Sequence, residues 1–249
     1  TALADNPITA AKVALGERLF NDPMLSGDGQ VSYETCHLEN NSFTVDAPLS
    51  PAFTSQVERR NAPSLIDVGY VGLLLWDGRV ESLDKQPVGS LANVLHLNSD
   101  PDLVVERLKA DTGYVADFVA AFGDGAITPR RLGQAIGAFE RTLAYGDSRF
   151  DRYMAGDTDA LNDDERRGLG IFMRGGRCIA CHNGRHFSDD KFHNIGVPDG
   201  HITSDPRVMA AIRFDAKRRG YDGWAELTED PGRALVTRKP KDLGRFRTQ

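Results

Sequence analysis

Residues 174–187 read Arg-Gly-Gly-Arg-Cys-Ile-Ala-Cys-His-Asn-Gly-Arg-His-Phe, which sets Cys178, Cys181 and His182 in the spacing Cys-x-x-Cys-His. A zinc site would need two further Cys or His ligands at suitable spacing, and a thioredoxin-like pair would need a strand–helix–strand context that the neighbouring sequence lacks. The same spacing lets each thiol add to one vinyl group of a haem while the histidine becomes an axial ligand of the iron. These residues therefore predict a c-type haem.

A second Cys-His pair, Cys36-His37, lies near the start of the chain, with Tyr33 at the position of the first cysteine. Alone, such a pair is also typical of a buried thiol beside a loop histidine. A lost haem, a redox-active tyrosine and a sequence error at position 33 are further alternatives. One thioether bond and one axial histidine can still hold a haem, so we predict a haem attached here through Cys36 only.

The two Cys-His sites lie in a repeated pattern. A predicted helix over Ile8–Phe20 leads through a Gly-rich loop to the first site and then to Phe43. A predicted helix over Asp163–Met173 leads through a Gly-rich turn to the second site and then to Phe187. This repetition predicts two similar cofactor-bearing domains, residues 1–147 and 148–249.

Apolar residues recur at helical spacing through most of the chain, whereas alternating strand patterns are short, as in Arg233–Thr237. Helix start signals stand at Asp100-Pro101 and Thr128-Pro129, and Asn162 and Glu165 have the spacing of a capping box. We therefore predict a mainly α fold with long polar loops.

Composition narrows the class of protein. The chain has 249 residues, and 30 Lys+Arg against 36 Asp+Glu give a formal net charge of −6. This mild acidic excess argues against a nucleic-acid partner, and no apolar run approaches the roughly 20 residues of a membrane span. No basic-then-apolar leader opens the chain, so we expect any signal peptide to have been removed.

Several further motifs follow one another in a recognisable order. They are Leu19–Gly29, Arg60-Asn-Ala-Pro-Ser-Leu65, Trp76-Asp-Gly-Arg79, Ser82-Leu-Asp-Lys-Gln86, Phe192-His-Asn-Ile-Gly-Val197 and Asp242–Thr248. Together with the Cys-His sites, this series resembles the bacterial di-haem cytochrome c peroxidase family, which includes MauG. The resemblance covers nearly the whole chain and implies two cytochrome c-like domains packed together, with one haem each.

The resemblance also implies roles for single residues. His37 would be the proximal ligand of an N-terminal haem that reacts with peroxide, and His182 that of a C-terminal haem that relays electrons. Trp76 matches a tryptophan between the haems, and Asn61 matches a side chain that binds calcium between the domains. Without the resemblance, Trp76 would be interpreted as a core residue and Asn61 as a turn residue.

Peroxide cleavage needs a base that moves a proton from the near to the far oxygen. In the family a glutamine and a glutamate follow the inter-haem tryptophan. Gln86 matches the glutamine, and His96 occupies the position of the glutamate. Histidine can carry a proton at neutral pH, whereas the alternative is a packed loop residue. We predict His96, Gln86 and Trp76 as catalytic residues.

Two further departures from the family concern the iron ligands. Many members cap the peroxide haem with a loop histidine, and none lies between Leu38 and Arg60. We therefore expect an iron that is open without reductive activation. The family segment that supplies the sixth ligand of the second haem, methionine in peroxidases and tyrosine in MauG, follows Phe-Arg-Thr. The sequence ends at Gln249, so we expect the second domain to lack this segment.

The resemblance implies a periplasmic enzyme that reduces hydrogen peroxide to water with electrons from a small cytochrome c or cupredoxin. One alternative is a MauG-like oxidase that modifies tryptophan on a partner protein. Another is a degenerate electron-transfer cytochrome, which the replacement of cysteine by Tyr33 and of glutamate by His96 would favour. Calcium is expected as an additional cofactor, and a homodimer is an open alternative.

Overall fold

The structure, a computed structural model, describes residues 4–53, 58–197 and 203–249 and is mainly helical, which confirms the predicted fold class. The α-helices are α1 (Ala10–Asn21), α2 (Gln86–Leu91), α3 (Pro101–Ala110), α4 (Thr112–Phe122), α5 (Pro129–Glu140), α6 (Arg149–Met154), α7 (Asp163–Gly170), α8 (Pro206–Arg218) and α9 (Ala234–Thr237). Within the described ranges, no helix combines the length and the apolar character that crossing a membrane requires.

Side-chain caps explain where several helices begin. Thr9, Asp100 and Thr128 each accept a hydrogen bond from a backbone N–H in the first turn of α1, α3 and α5. Asn162 and Glu165 form the capping box that the sequence predicts at the start of α7. The starts of these helices are therefore encoded locally.

The main hydrophobic core belongs to the N-terminal part of the chain, since its buried members all lie between Leu15 and Phe139. Helix α1 packs against α5 and α4 in this core. The approach of α1 to α5 requires glycine at position 16, because a Cβ atom there would lie 2.0 Å from the carbonyl oxygen of Ala135. This packing anchors the segment after α1, which carries Cys36 and His37.

The C-terminal part has a much smaller buried cluster, in which Val208, Met209 and Ile212 of α8 pack against Leu49 and Leu227. A two-stranded antiparallel sheet is formed there by β1 (Phe192–His193) and β2 (Phe246–Arg247). The division of the chain into domains 1–147 and 148–249 stays a prediction, although the main core falls wholly within the first range.

The run Arg233–Thr237, whose alternation suggests a strand, is helical instead. Backbone hydrogen bonds from Val236 and Thr237 to the carbonyl oxygen of Arg233 close a helical turn at this point. Gly232, with a φ of +59°, bends the chain immediately before it. Alternation over five residues is too short to exclude a single turn of helix.

Candidate haem sites

The two Cys-His turns have the same backbone hydrogen bonds. In the first, the N–H groups of Cys36 and His37 donate to the carbonyl oxygen of Tyr33, at 3.1 and 3.0 Å. In the second, the N–H groups of Cys181 and His182 donate to the carbonyl oxygen of Cys178, at 3.2 and 2.9 Å. Tyr33 therefore takes the same place in its turn as Cys178 does in the complete motif.

Each histidine ring is oriented by the phenylalanine that follows the turn. Nδ1 of His37 lies 2.9 Å from the carbonyl oxygen of Phe43, and Nδ1 of His182 lies 3.0 Å from that of Phe187. Phe43 and Phe187 share a left-handed conformation, with φ of 55° and 52°. Because a carbonyl oxygen only accepts, Nδ1 carries the proton and Nε2 keeps its lone pair for a metal.

The first turn lies beside an open cleft. All six residues that the sequence predicts for this site line the cleft. They are Cys36, His37, Asn61, Trp76, Gln86 and His96. The structure therefore brings these residues together, while their individual roles stay predictions.

Burial keeps the groups at the first turn uncharged. It lowers the pKa of His37 to about 4, against the raising effect of the Phe43 carbonyl, and the nearby His96 lowers that pKa further. Burial together with the charge of Glu58 raises the pKa of the Cys36 thiol to about 11. A neutral imidazole is the form that ligates iron, and the donor set of thiol and imidazole fits a haem.

Tyr33 is packed into the core, with only 5% of its surface exposed. Its ring stacks on Phe20, with 5.8 Å between the ring centroids, and its hydroxyl donates to the carbonyl oxygen of Pro87 at 2.6 Å. Burial and the charge of Glu140 hold the pKa of Tyr33 well above its usual range. The phenol hydroxyl donates to a backbone carbonyl oxygen rather than to a base, so these contacts favour a packing role.

Polar side chains form a connected row in the same cleft. The amide nitrogen Nε2 of Gln86 donates to Oγ of Ser90 at 3.0 Å, and Nδ1 of His96 lies 3.1 Å from the same oxygen. On the other side of the imidazole ring, Nε2 of His96 lies 3.1 Å from Oε1 of Glu58. The row therefore runs from Gln86 through Ser90 and His96 to Glu58.

Sequence reasoning missed Glu58 and Ser90. Glu58 comes from the loop before Arg59, and its side chain is 14% exposed. Burial would raise the pKa of Glu58, but the hydrogen bond and charge of His96, together with Arg59, outweigh it and lower that pKa. The spacing of Glu58 to either Cys-His pair does not indicate its contact with His96, because Glu58 lies in a loop whose path depends on the tertiary structure.

Trp76 is fixed between the first cleft and the C-terminal strand. Its indole nitrogen donates to the carbonyl oxygen of Asn61 at 2.7 Å, and its own carbonyl oxygen accepts from the backbone N–H of Arg247 at 2.8 Å. The side-chain oxygen of Asn61 accepts from the hydroxyl of Thr44 at 2.8 Å. Asn61 as a calcium ligand stays a prediction.

A buried cluster of charged groups surrounds the residue after Trp76. Asp77 is fully buried and pairs with Arg60 and Arg79 at 2.9 and 3.0 Å, and with Arg59 at 3.4 Å. Burial would raise the pKa of Asp77, but these arginines hold it well below its usual range. The same three guanidinium groups line the cleft, where their charge suits the carboxylates of a haem.

The second turn is exposed. Cys178 and His182 lie at the surface, and Phe187 contacts Phe150 and Phe172 with ring centroids 5.1 and 5.8 Å apart. The turn itself supplies two thiols and a histidine with a free Nε2, which is the donor set of a doubly attached haem. The backbone geometry of the second site thus fits a haem as well as that of the first.

Other metal-binding groups near the second turn already have partners. His193 pairs with Asp189 at 2.9 Å, and a ligand atom from each of these two lies within 4.8 Å of the sulfur of Cys181. His186 stacks on Tyr70, with 4.5 Å between ring centroids, and its Nδ1 lies 3.4 Å from Asp67. A third histidine of this region, at position 201, lies outside the described residues.

A helical chain with two Cys-His turns of the same geometry, in each of which Nε2 of the histidine keeps its lone pair, fits a di-haem protein. Residues 10–159 match the family described as "Di-haem cytochrome c peroxidase". The chain belongs to this family. The matched region contains the first turn, its cleft and Trp76, and the second turn follows it in the sequence.

Curated relatives agree with this membership. The chain is 36% identical to "Cytochrome-c peroxidase IdrP1" of Denitromonas iodatirespirans, over 98% of this chain and 66% of that protein. It is 39% identical to "Methylamine utilization protein MauG" of Methylorubrum extorquens, over 85% of this chain and 62% of that protein. The chain thus spans slightly less than two thirds of the length of these relatives.

Solved structures share the fold. A MauG-like protein associated with microbial copper homeostasis matches with a TM-score of 0.80 and 27% identity, over 99% of this chain and 70% of its own. The diheme peroxidase BthA from Burkholderia thailandensis matches with a TM-score of 0.72 and 25% identity, over 100% of this chain and 68% of its own. The resemblance stated from the sequence is therefore confirmed at the level of the family.

Proposed function

We propose that the protein reduces hydrogen peroxide to water at the cleft of the first Cys-His turn, with electrons from a small periplasmic redox protein. One observation carries this proposal. His37 lines the same cleft as the row of polar groups that ends at His96 and Glu58. A ligand for iron and a base for the proton of a peroxide thus share one cleft.

A haem at each turn would supply a redox-active iron. The chain itself supplies the other functions. His37 and Cys36 would hold the first haem, and Cys178, Cys181 and His182 would hold the second. Gln86 and His96 would bind the substrate and hold its proton, since both line the cleft and join the same Ser90 hydroxyl.

Trp76 would carry electrons between the two sites. Two hydrogen bonds support this role. Its indole N–H donates to Asn61 beside the first cleft, and its carbonyl oxygen accepts from Arg247 of β2, whose partner strand β1 follows the second turn. A rigid aromatic ring between the two sites divides the path of the electron into two steps, each over a shorter distance. Calcium near Asn61 is part of the proposal, as is maturation in the periplasm.

A second candidate function is a MauG-like oxidase that modifies tryptophan on a partner protein. Two observations favour it. No histidine occurs in the sequence between Leu38 and Arg60, where many family members carry a capping ligand. The chain is also 39% identical to a MauG protein. Both candidates require the same first haem site. They differ in what reduces the oxidised haem pair, which is a small redox protein in the peroxidase and a tryptophan of a partner protein in the oxidase.

Turnover experiments separate the candidates. The purified holoprotein is mixed with hydrogen peroxide and a reduced small cytochrome c, and oxidation of that cytochrome is followed optically. We expect catalytic oxidation that stops in a Trp76→Phe variant although both haems remain attached. The matched control is a Trp224→Phe variant, because Trp224 lies far along the sequence from Trp76 and is not among the residues that line the cleft. A protein-bound tryptophan product without cytochrome oxidation would favour the oxidase, and no reaction with peroxide would contradict both.

A further inference from the structure

His96 has a carboxylate partner on the other side of its ring. We infer that Glu58 is a positioning residue for His96, so that the two side chains form one proton-handling pair. This inference rests on the proposed function and adds to it a residue from a different loop. The carboxylate comes from the segment before Arg59, whereas His96 follows α2.

The contacts around His96 favour one tautomer of its ring. A carboxylate oxygen only accepts, so the 3.1 Å contact with Glu58 favours the tautomer that carries its proton on Nε2. In the neutral ring, Nδ1 then holds the free lone pair. The Ser90 hydroxyl already accepts from Gln86 and can donate its own proton to Nδ1. The atom of His96 that can accept a proton is therefore Nδ1, which faces Ser90.

Glu58 is itself held in place. Its backbone N–H donates to the carbonyl oxygen of Ser50 at 3.1 Å, and its second carboxylate oxygen accepts from the backbone N–H of Arg59 at 3.3 Å. Its side chain is 14% exposed and that of His96 is 23% exposed. A partly desolvated contact between two side chains with fixed ends orients an imidazole more strongly than a solvated surface contact does.

The charges around the pair are otherwise positive. The cleft presents the guanidinium groups of Arg59, Arg60 and Arg79, which are partly neutralised by Asp77 and Asp230. On the outer side, an adjoining depression that also includes His96 is lined by Lys85, Asp215, Arg218 and Arg219. Among these groups Glu58 is the carboxylate in contact with the ring, so it offsets the positive charge that His96 would gain.

The proton transfer balances within the row. A proton arriving at Nδ1 of His96, directly or through the Ser90 hydroxyl, makes an imidazolium whose Nε2–H faces the carboxylate of Glu58. Glu58 stays a carboxylate throughout and stabilises this cation, as the carboxylate of a catalytic triad does for its histidine. The same proton leaves from Nδ1 by the same route, and no electron is exchanged by either side chain.

Cyanide binding tests the pair without turnover. Hydrogen cyanide is a weak acid that must release its proton when it binds ferric haem as the anion, so its association rate reports the base in the cleft. In the ferric holoprotein we expect Glu58→Gln and His96→Ala each to slow association by about tenfold or more. We expect the double variant to be no slower than His96→Ala, because the two residues act as a unit.

Controls and rescue keep the test specific. Glu106→Gln, on the exposed face of α3, should leave the association rate unchanged. Glu58→Asp, which keeps the charge on a shorter side chain, should restore part of the rate and also serves if Glu58→Gln fails to fold. A wild-type rate in Glu58→Gln, or effects of Glu58→Gln and His96→Ala that simply multiply in the double variant, would overturn the pair.

The outcomes distinguish this pair from the proposed function. If the wild-type holoprotein fails to reduce peroxide but shows the expected cyanide pattern, the pair stands and the peroxidase proposal is wrong. If peroxide turnover is found but Glu58→Gln leaves the association rate of cyanide unchanged, the peroxidase proposal stands and the proposed pair is wrong.

Discussion

The two Cys-His turns have the same internal hydrogen bonds but different surroundings. Both use the same backbone hydrogen bonds, and both direct Nδ1 of the histidine to the carbonyl oxygen of a left-handed phenylalanine. The first turn adjoins a cleft with polar and charged walls, whereas Cys178 and His182 of the second lie at the surface. The turn fixes how an iron is held, and its surroundings decide what that iron can react with.

The elements before each turn explain the difference. Helix α1 buries Leu15, Leu19 and Phe20 in the main core, and its close crossing with α5 brings the first turn inside. Helix α7 and the π-helical turn Ile171–Gly175 that continues it have no buried residue. The first turn thus follows a helix that is packed in the main core, and the second turn follows a helix that is not.

The largest expected effect concerns covalent attachment. Cys36→Ala removes the one thiol of the first turn, so the denatured protein should lose one of its two haems in an intact-mass measurement. Cys178→Ala leaves Cys181 in the second turn, which then resembles the natural state of the first, and both haems should remain. Loss of a haem from Cys178→Ala would show that the two turns do not hold haem in the same way.

The next effect concerns the enclosure of the first site. Asp77→Asn removes the carboxylate shared by Arg59, Arg60 and Arg79, and breaking a buried ion pair costs about 3–5 kcal/mol. We expect that loss in the free energy of unfolding, measured with denaturant. Asp147→Asn, whose exposed carboxylate lies 3.8 Å from a guanidinium nitrogen of Arg152, should change it by less than about 1 kcal/mol.

The pH dependence of that loss has a definite sign. Because the pKa of Asp77 is lower in the folded than in the unfolded protein, its contribution to stability is present at neutral pH. It decreases once the pH falls below the unfolded value of about 4 and is lost as the pH falls through the still lower folded value. Wild type and Asp77→Asn should therefore converge in stability under acid conditions, and a constant difference would contradict the assigned pKa direction.

A smaller effect is expected at Glu140, a buried carboxyl of α5 whose charge also acts on Tyr33. Burial raises the pKa of Glu140 to about 8, so the folded chain keeps a proton that the unfolded chain releases. Stability should fall as the pH rises from about 4 to about 8. Glu140→Gln should remove this slope and add about 1–3 kcal/mol at pH values near 8.

Denaturant titrations at acid and mildly alkaline pH measure the slope, with Glu17→Gln on the exposed face of α1 as the control. If Glu140→Gln and wild type lose stability in parallel as the pH rises, Glu140 is not the group responsible.

The smallest expected effect separates packing from redox chemistry at the first turn. Tyr33→Phe keeps the ring against Phe20 and removes the hydrogen bond to Pro87, which costs about 1 kcal/mol. Haem attachment and peroxide turnover should be unchanged. Tyr145→Phe, at an exposed position, should cost nothing measurable. A large loss of turnover in Tyr33→Phe would instead favour a redox role for this tyrosine.

Sequence patterns predicted the features that depend on neighbouring residues. The caps Asp100, Thr128 and Asn162 mark helix starts that the structure has. Cys178, Cys181 and His182 define their turn by spacing alone. The alternating run Arg233–Thr237 was misleading, because five residues do not distinguish a strand from one helical turn.

Long-range contacts were harder to predict. The family pattern drew attention to His96 and Gln86, but it gave no sign that Glu58 contacts the His96 ring or that Ser90 joins the two. These contacts depend on where loops end after the helices have packed. No local periodicity encodes such a position, so sequence spacing could not reveal it.

By itself, the sequence determined the helical class, the two Cys-His turns and the replacement of one cysteine by Tyr33, because each depends on residues a few positions apart. Only the tertiary structure decided that one turn is enclosed and the other exposed. It also decided that Glu58 meets His96 and that Asp77 joins three arginines beside the cleft. The physical reason is that burial and charge pairing arise between segments far apart in the chain, which only packing brings together.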